Sequence, residues 1–534
     1  MRRSETTPEL TEGASRPINR SKIFLAGTGG VLLTLAFPRS GLSLLAWVAF
    51  VPLLLAVRDV RPGTGFRLGL AWGLAHYLTL LYWIAYTLRT YGYLPWAAAL
   101  PLLFLLCCYM SLYPAVCAWA VCRCCRHPIL LLTGFPALYT ALEYLRTFIF
   151  TGFPWGLLGY TQYRLLPVIQ VADITGAYGV SYLVALVSAA LTLLILSRSG
   201  KEWQERAVIG RLPRLAAGAA AALVLIAAGY GFWRMHAIDR QAADARNVKV
   251  AVVQGNIEQA RKWDPAFQIA STKTYIDQSV GLKDRRPDLV VWPETATPFY
   301  LFGNESLTRM VQRGIRSTGS HFLVGSPAMR TEGDDVQLFN SAYILDPEGE
   351  PVGRYDKAHL VPYGEYVPLR NYMPFVGKMV AQIGDFTPGQ AGKVLDGPGA
   401  PLGVLICYEV IFPSLSRRMA ANGAGILANL TNDAWYGWTS APFQHFSTAV
   451  FRAIENRRSL VRAANTGISG FIDPVGRILE ASPLFVETAL VQEVPVLEQT
   501  SLYTRGGDLF AWICLTGSLL LAVRCVVRNR RPRG

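Results

Sequence analysis

Eight consecutive residues decide the fold class of the polar part of this chain: Leu402-Gly403-Val404-Leu405-Ile406-Cys407-Tyr408-Glu409. The aliphatic run predicts a short buried strand, with a thiol at its end and a carboxylate two places further on. Open α/β sheets usually expose their reactive groups at such strand ends. Cys407 is therefore a candidate nucleophile.

Other buried strands flank this one on both sides in the sequence. We predict them at Val248–Gln254, Asp288–Glu294, Phe322–Gly325, Asn340–Leu345 and Ala424–Leu430, with a polar helix over residues 265–283. Strands that alternate with helices form a sheet that is covered on both faces. The sequence thus predicts an α/β domain over residues 234–507.

The remainder of the chain is too apolar for a soluble domain. Of 534 residues, 52% are hydrophobic and only 16% are charged, whereas soluble domains carry about 25% charged residues. A helix that crosses a bilayer needs about 20 residues, so the first two apolar segments are short and either extend through Pro38–Leu42 or form a tight hairpin. Eight apolar segments are predicted, at residues 23–37, 43–57, 66–88, 94–122, 128–150, 176–197, 213–233 and 508–527.

The net charge of +15 belongs to the apolar part and the tails. The segment from Arg246 to Thr500 holds 24 basic and 25 acidic residues, so it carries almost no net charge. This distribution fits membrane topology and anionic headgroups, and it argues against a nucleic-acid partner. Positive-inside bias predicts a basic cytoplasmic leader (1–22), a seven-span domain (23–233), an extracytoplasmic domain (234–507), an eighth span (508–527) and a basic cytoplasmic tail (528–534).

The nine cysteines suggest no metal site or disulfide framework. Cys407 stands alone in the polar domain, so it is either a packed core residue or a reactive group. The run from Cys122 to His127 resembles a metal box, but a zinc site normally needs a second, separated pair of ligands. We expect neither a metal nor a cofactor, and acylation is the alternative use of these membrane-edge cysteines.

Three groups together have the chemistry that acyl transfer requires. Glu294 ends a predicted strand and can act as a base, Lys357 can stabilise an oxyanion, and Cys407 can attack a carbonyl. Each also has an ordinary structural interpretation, as a helix cap, a surface cation or a core residue. His359 and His445 offer a rival Cys-His arrangement.

The motifs around these groups resemble the nitrilase, or carbon–nitrogen hydrolase, superfamily. They are Trp-Pro-Glu294, Lys357 followed by Pro362-Tyr-Gly-Glu365, and Cys407-Tyr-Glu. The chain is most similar to its bacterial apolipoprotein N-acyltransferase family, through Gln254-Gly-Asn-Ile, Lys262-Trp-Asp264, Asn432-Asp-Ala-Trp-Tyr-Gly437 and Thr151-Gly-Phe-Pro-Trp-Gly156. The resemblance covers residues 22–527.

This resemblance implies an αββα sandwich that carries a Glu294-Lys357-Cys407 triad. It implies ping-pong acyl transfer from a phospholipid, typically phosphatidylethanolamine, through a Cys407 thioester to the α-amino group of an apolipoprotein diacylglyceryl-cysteine. Glu365 is expected to support the site, Tyr408 and Glu409 to flank the nucleophile, and Trp263 to contact substrate. The expected setting is a bacterial inner membrane, with a periplasmic catalytic domain, both termini cytoplasmic and a monomeric protein.

Other interpretations stay open from the sequence. A membrane-tethered amidase or nitrilase acting on a small C–N substrate would use water as the acceptor, and a binding or transport protein would need no triad. Loop residues Tyr366–Phe386 are expected to form a mobile apolar lid. Glu143 and Arg146, three apart in an apolar segment, form either a contact with lipid or the active site, or a local ion pair.

Overall fold

The computed structural model describes residues 19–262, 264–333, 335–366 and 385–530. Trp263 and nearly all of the predicted lid, residues 367–384, lie outside the described residues. The described chain has an apolar helical half and an α/β half, and its last long helix returns to the apolar half.

Helices form in all eight predicted apolar segments. Their bounds are α1 Arg20–Ala36, α2 Val51–Val57, α3 Pro62–Leu80, α4 Trp83–Thr90, α5 Trp96–Cys124, α6 Pro128–Arg146, α7 Leu166–Ile169, α8 Ala172–Thr175, α9 Ala177–Arg198 and α10 Leu212–Ala243, with a hairpin of β1 Glu202–Trp203 and β2 Arg206–Ala207, and α17 Leu509–Arg530 after the α/β half.

Fewer helices are long enough to cross a membrane than the eight spans that the sequence predicts. Among the described residues, five helices are long and apolar enough to cross a membrane, or up to six if α3 and α4, bent by 51° at their break, count as one span. Helix α1 has 17 residues, which is at the lower limit for a single crossing, and α2 has 7, which is well below it. The shortness of the first two segments is thus confirmed, and the chain is a membrane protein with several apolar helices.

The α/β half contains two six-stranded sheets. Its strands are β3 Asn247–Gln254, β4 Leu289–Val291, β5 His321–Glu332, β6 Asp335–Leu345, β7 Pro351–Asp356, β8 Val394–Leu395, β9 Leu402–Ile406, β10 Ile426–Thr431, β11 Ser459–Ala464, β12 Gly470–Ile472, β13 Ile478–Ala481 and β14 Thr488–Pro495. The orders are β14-β3-β4-β5-β6-β7 and β13-β12-β11-β10-β9-β8. Pairing is parallel at the centre of each sheet, across β3–β4–β5 and β9–β10–β11.

Alternating side chains explain why the sheets pack face to face. Val250 and Val252 of β3 belong to the same buried cluster as Val404 and Ile406 of β9. Their neighbour Ala251 faces the other way and joins a second cluster with helices α12 (Pro265–Val280) and α13 (Glu305–Thr318). This arrangement is the predicted αββα sandwich. Its helices are α11 Gln259–Lys262, α12 Pro265–Val280, α13 Glu305–Thr318, α14 Pro413–Ala421, α15 Ala441–Asn456 and α16 Leu502–Gly506.

Buried ion pairs join the sandwich to the helical half. Arg457, just after α15, contacts Asp173 of α8 at 2.8 Å, and Arg234 of α10 contacts the same carboxylate oxygen at 2.8 Å. The Glu455 side chain accepts the backbone N–H of Ala177 at 3.0 Å. The two halves therefore share polar contacts that neither half completes by itself.

Glu143 and Arg146 form the local ion pair, 3.7 Å apart and buried. Glu143 accepts the N–H of Leu158 at 2.7 Å, and Arg146 donates to the carbonyl oxygen of Trp155 at 2.9 Å. The pair thus holds the loop after α6 in place, and that loop carries Trp155 to the sandwich.

Candidate active site

Cys407 lies at a sharp turn at the end of strand β9. The strand ends at Ile406, and Cys407 has φ +52°, after which a 3-10 turn runs to Ile411. A left-handed conformation costs a non-glycine residue about 1–2 kcal/mol, so the surrounding contacts must hold it. The turn breaks the strand at the thiol and places it in the wall of a cavity.

Glu294 follows strand β4 and points its carboxylate into the same cavity. One oxygen accepts from the side-chain amide of Asn340 at 2.8 Å, and the other accepts the backbone N–H of Asn432 at 3.0 Å. The side chain is only 9% exposed. Two directional donors therefore fix this carboxylate in a largely dry site.

Lys357 follows strand β7 and sits between two carboxylates. Its Nζ lies 3.6 Å from Glu294 and 2.9 Å from Glu365. Asn340 also donates to Glu365, at 2.8 Å, so one amide nitrogen joins both carboxylates. Burial lowers the pKa of Lys357, but the charges of Glu365 and Glu294 more than offset it, so that the pKa is raised and the ammonium stays charged.

The cavity has a volume of about 230 Å³ and walls from both halves of the chain. Glu294, Lys357 and Cys407 line it, together with Glu365 and Tyr408. The wall from the apolar half is formed by α4, the turn after it and the loop after α6, through Trp83, Thr87, Tyr91, Gly92 and Trp155. The structure thus brings together five of the seven residues that the sequence singled out.

The thiol of Cys407 is protonated at rest. Burial raises its pKa, the charge of Glu294 raises it further, and the charge of Lys357 acts in the opposite direction. A buried thiolate is costly unless its proton moves to a group nearby. The chemistry open to this arrangement is transfer of that proton to Glu294 as the sulfur attacks.

Glu409 lies behind the cavity and ties two site loops together. It is fully buried, and its carboxylate accepts the N–H groups of Ile406, Ala358 and His359 at 2.7, 2.7 and 3.0 Å. The Tyr355 hydroxyl donates to it at 2.9 Å. Glu409 therefore fixes the turn at Cys407 relative to the loop that begins at Lys357.

Tyr408 contacts the apolar half instead. Its hydroxyl donates to the carbonyl oxygen of Gly152 at 3.3 Å, and its ring stacks on Phe153 with 6.4 Å between centroids. The turn that carries the thiol is thereby attached to the loop after α6. Trp263 is outside the described residues, so its predicted substrate contact stays a prediction.

The structure adds Lys262, which the sequence shows only as the first residue of the Lys262-Trp-Asp264 motif. It lines the cavity, is 2% exposed, and donates to the backbone oxygen of Glu294 at 3.0 Å. Burial lowers the pKa of Lys262 to about 8, against the charges of Glu294 and Cys407, which raise it. Lys262 directly precedes Trp263, the predicted substrate contact, and this position could have indicated that Lys262 belongs to the site.

Neither histidine forms a hydrogen bond with the Cys407 thiol in the part of the chain that the structure describes. His445 lies with Nε2 3.2 Å from the carbonyl oxygen of Cys407, and its Nδ1 lies 2.9 Å from Arg462. His359 packs against Phe412, with 3.9 Å between ring centroids. Burial lowers the pKa of both, for His359 to about 4, so they are neutral structural groups. Among the described residues, no group of three or more His, Cys, Asp or Glu side chains is placed to hold a metal ion.

Comparison with known proteins matches both halves of the chain. Residues 29–190 match the apolipoprotein N-acyltransferase N-terminal domain, and residues 249–501 match the carbon-nitrogen hydrolase domain. An amidase from Nesterenkonia sp. is similar in structure, with 22% identity and a TM-score of 0.36 over 46% of this chain and 90% of that one.

Relatives of similar length cover almost the whole chain. The apolipoprotein N-acyltransferase of Geobacter metallireducens is 46% identical over 95% of both chains. That of Methylococcus capsulatus is 32% identical over 95% of this chain and 96% of its own. With a matching domain in each half and this coverage, the chain belongs to the apolipoprotein N-acyltransferase family.

Proposed function

We propose that this protein moves a fatty acyl chain from a phospholipid to a lipoprotein in two steps. The donor is phosphatidylethanolamine, the intermediate is a thioester on Cys407, and the acceptor is the α-amino group of an N-terminal diacylglyceryl-cysteine. Glu294, Lys357 and Cys407 are the catalytic residues. The family supports the transfer as a class of reaction, and the roles rest on the geometry of the cavity.

The shared cavity is the observation that carries the proposal. A thiol, a carboxylate and an ammonium line one side of it, and aromatic side chains from the apolar helices line the other. A soluble amide substrate has no need of the apolar wall, whereas a lipid ester does. Moving an acyl chain out of a bilayer costs about 0.8 kcal/mol per CH₂, so a site that opens beside the membrane helices avoids most of that cost.

In the first step, the sulfur of Cys407 attacks the ester carbonyl while its proton passes to Glu294. The carbonyl oxygen gains negative charge in the tetrahedral intermediate, and the Lys357 ammonium stabilises it. The ester C–O bond then breaks, Glu294 returns the proton to the departing alkoxide, and a lysophospholipid leaves. An acyl group remains on the sulfur.

In the second step, the lipoprotein amine attacks the thioester. Glu294 takes a proton from the amine, and Lys357 again stabilises the oxyanion. The C–S bond then breaks, and Glu294 gives the proton to the departing sulfur, which restores the Cys407 thiol and releases the amide product. A thioester exposed to water would be hydrolysed, so the apolar wall has a second purpose, which is to exclude solvent until the amine arrives.

The remaining predicted residues support this chemistry in different ways. Glu365 holds the Lys357 ammonium at 2.9 Å, so it positions the cation without touching the thiol turn. Tyr408 attaches that turn to Gly152, and Glu409 fixes it against the Lys357 loop. We assign Glu409 and Glu365 as positioning residues and keep Trp263 as a predicted substrate contact.

We also propose the orientation that the charge distribution predicts. The α/β half, residues 234–507, lies in the periplasm, and both termini lie in the cytoplasm of a monomeric inner-membrane protein. Residues 1–22 and 528–534 form the basic ends, and residues 23–233 and 508–527 form the membrane domain. Reporter fusions after Arg198, expected to be cytoplasmic, and within α13, expected to be periplasmic, test this orientation.

The decisive experiment separates the first step from the second. The purified protein is incubated with phospholipid alone, and its intact mass is measured before and after treatment with hydroxylamine. We expect one fatty-acyl adduct that hydroxylamine removes and that Cys407→Ala abolishes. Cys525→Ala, which removes a thiol far from the cavity, should keep the adduct. An absent adduct, or one that persists in Cys407→Ala, would refute the proposal.

A further inference from the structure

A second cavity lies where the ends of several apolar helices meet, away from the thiol. It has a volume of about 1020 Å³. Its basic side chains come from α5 and the turn after it, the hairpin, and α17. We call it the basic cavity and define it by Arg123, Arg126, His127, Arg206, Arg524 and Arg528.

The basic cavity lies at the membrane face opposite the active site. Helix α5 begins at Trp96, four residues after Gly92 in the wall of the active-site cavity, and ends at Cys124 in the wall of the basic cavity. At 1.5 Å per residue, the 29 residues of α5 cover about 43 Å. A bilayer with its headgroup layers is about 40–45 Å thick, so the basic cavity is at headgroup depth.

The arginines of this cavity have no acidic partners in the part of the chain that the structure describes. None of the five guanidinium groups has a carboxylate within 4.0 Å there, although Glu205 also lines the cavity. The Nδ1 atom of His127 accepts the N–H of Ile129 at 3.2 Å, which leaves its Nε2–H as a further donor. The cavity thus presents many hydrogen-bond donors and, among its lining residues, a single carboxylate, that of Glu205.

Hydrogen bonds between the elements hold this cavity in shape. The buried Trp203 donates from its indole to the carbonyl oxygen of Cys125 at 2.8 Å, and Gln204 donates to Val57 at 3.0 Å. The Cys525 thiol donates to the carbonyl oxygen of Arg123 at 3.2 Å. The hairpin, α5 and α17 are therefore attached to one another, and five arginines stay close despite their repulsion.

We propose that the basic cavity binds the phosphate headgroup of an anionic phospholipid. Guanidinium groups pair with phosphate oxygens in bidentate geometry, and basic pockets between membrane helices suit such headgroups. The cavity also has an apolar side, formed by Ile129, Leu130 and Leu521, with Ile129 49% exposed. A free phosphate ion makes no use of that side, whereas an acyl chain covers it. The proposal does not depend on the acyl-transfer chemistry.

Positive-inside bias alone would leave arginines spread over the loops of this face. The test therefore compares two triple variants of the full-length protein that remove equal charge. Arg206→Gln, Arg524→Gln and Arg528→Gln change the basic cavity. Lys201→Gln, Arg211→Gln and Arg214→Gln change exposed residues of the connection between α9 and α10 and of the first turn of α10, outside the cavity lining.

The readout is retention of lipid by detergent-solubilised protein, measured by native mass spectrometry in micelles with equal phosphatidylglycerol and phosphatidylcholine. We expect wild type to retain one phosphatidylglycerol selectively, the cavity variant to retain at least tenfold less, and the loop variant to match wild type. Arg206→Gln alone should give a several-fold loss, which keeps the test decisive if the triple variant misfolds. Equal loss in both triple variants, or binding of inorganic phosphate without lipid retention, would overturn the proposal.

Discussion

The indole N–H of Trp155 donates to the side-chain oxygen of Gln444 across the boundary between the two halves, at 2.7 Å. Trp155 is on the loop after α6, and Gln444 is on helix α15 of the sandwich. Both are buried, and the Trp155 ring also stacks on His445, whose Nε2 reaches the carbonyl oxygen of Cys407. One bond thus links the helical half to the turn that carries the thiol.

Removing this hydrogen bond should loosen the boundary and slow turnover. In Gln444→Leu, the buried Trp155 N–H loses its acceptor, which costs about 1–3 kcal/mol. We expect a lower Tm in detergent and a several-fold lower rate of lipopeptide acylation. Trp96→Phe, at a position 52% exposed, is the control for a mild change elsewhere in the helices. An unchanged Tm in Gln444→Leu would show that the bond contributes nothing.

Lys262 should matter for activity and reduce stability at neutral pH. Burial lowers its pKa to about 8 in the folded protein, from 10.5 in the unfolded chain. Below pH 8 it is charged in both states, and the full cost of burying the charge opposes folding. Between pH 8 and 10.5 the unfolded chain binds more protons, so the free energy of unfolding rises with pH.

Lys262→Met is therefore expected to raise Tm at pH 7 and to lose part of that advantage at pH 9. The same variant should slow formation of the Cys407 adduct about 10- to 100-fold, because one ammonium fewer faces the developing thiolate. Lys249→Met, at a partly exposed lysine paired with Glu493, serves as the control. Thermal scans and adduct kinetics at both pH values check the two effects, and a faster Lys262→Met enzyme would contradict the assignment.

Glu409 should affect activity only by holding the Cys407 turn in position. The Glu409 carboxylate accepts three N–H groups and a hydroxyl. In Glu409→Gln, the amide nitrogen replaces one carboxylate oxygen and, being itself a donor, cannot accept these hydrogen bonds. We expect a loss of about 1–3 kcal/mol in stability and lower turnover. The pH profile of the remaining activity should keep its shape. Glu493→Gln, 57% exposed, is the matched control. A shifted pH profile would mean that Glu409 exchanges protons during the reaction.

Asp173 should hold the two halves together. Its carboxylate neutralises Arg457 and Arg234 and accepts the hydroxyl of Tyr230 at 2.8 Å. Asp173→Asn leaves two guanidinium groups without a counter-charge, and breaking such a buried pair costs about 3–5 kcal/mol. Asp59→Asn, in a partly exposed pair with Arg58, should cost at most about 1 kcal/mol. Thermal unfolding in detergent measures the stability of both variants. An equal loss of stability in Asp173→Asn and Asp59→Asn would show that Asp173 does not hold the two halves together.

The sequence predicted those features that follow from local patterns. Buried aliphatic runs located β3, β9 and β10 to within two residues, because central parallel strands are apolar on both faces. Short motifs singled out Glu294, Lys357 and Cys407. Six strands of the sandwich, β7, β8, β11, β12, β13 and β14, were not predicted. Of these, β8, β12 and β13 have two to four residues and are too short for a periodic signal.

Other features depend on contacts between distant parts of the chain. Asn340 was assigned only to a strand, yet its amide joins Glu294 to Glu365. The sequence has no proline at the break between α3 and α4, so the bend there could not be predicted. The bend places Trp83 and Thr87 in the wall of the active-site cavity. Trp155 and Gln444 are 289 residues apart, so no local pattern could have paired them.

Because the cavity has walls from both halves, it exists only when the helices and the sandwich have both folded and are in contact. A chain whose helices have inserted but whose sandwich has not folded has the cavity-lining Trp83, Tyr91 and Trp155 without the Cys407 thiol beside them. A sandwich released by proteolysis keeps the thiol but lacks the cavity wall that the apolar half contributes. Under the proposed mechanism, ester cleavage therefore requires both halves to be folded and in contact, so neither an unfinished chain nor a proteolytic fragment would act as a phospholipase.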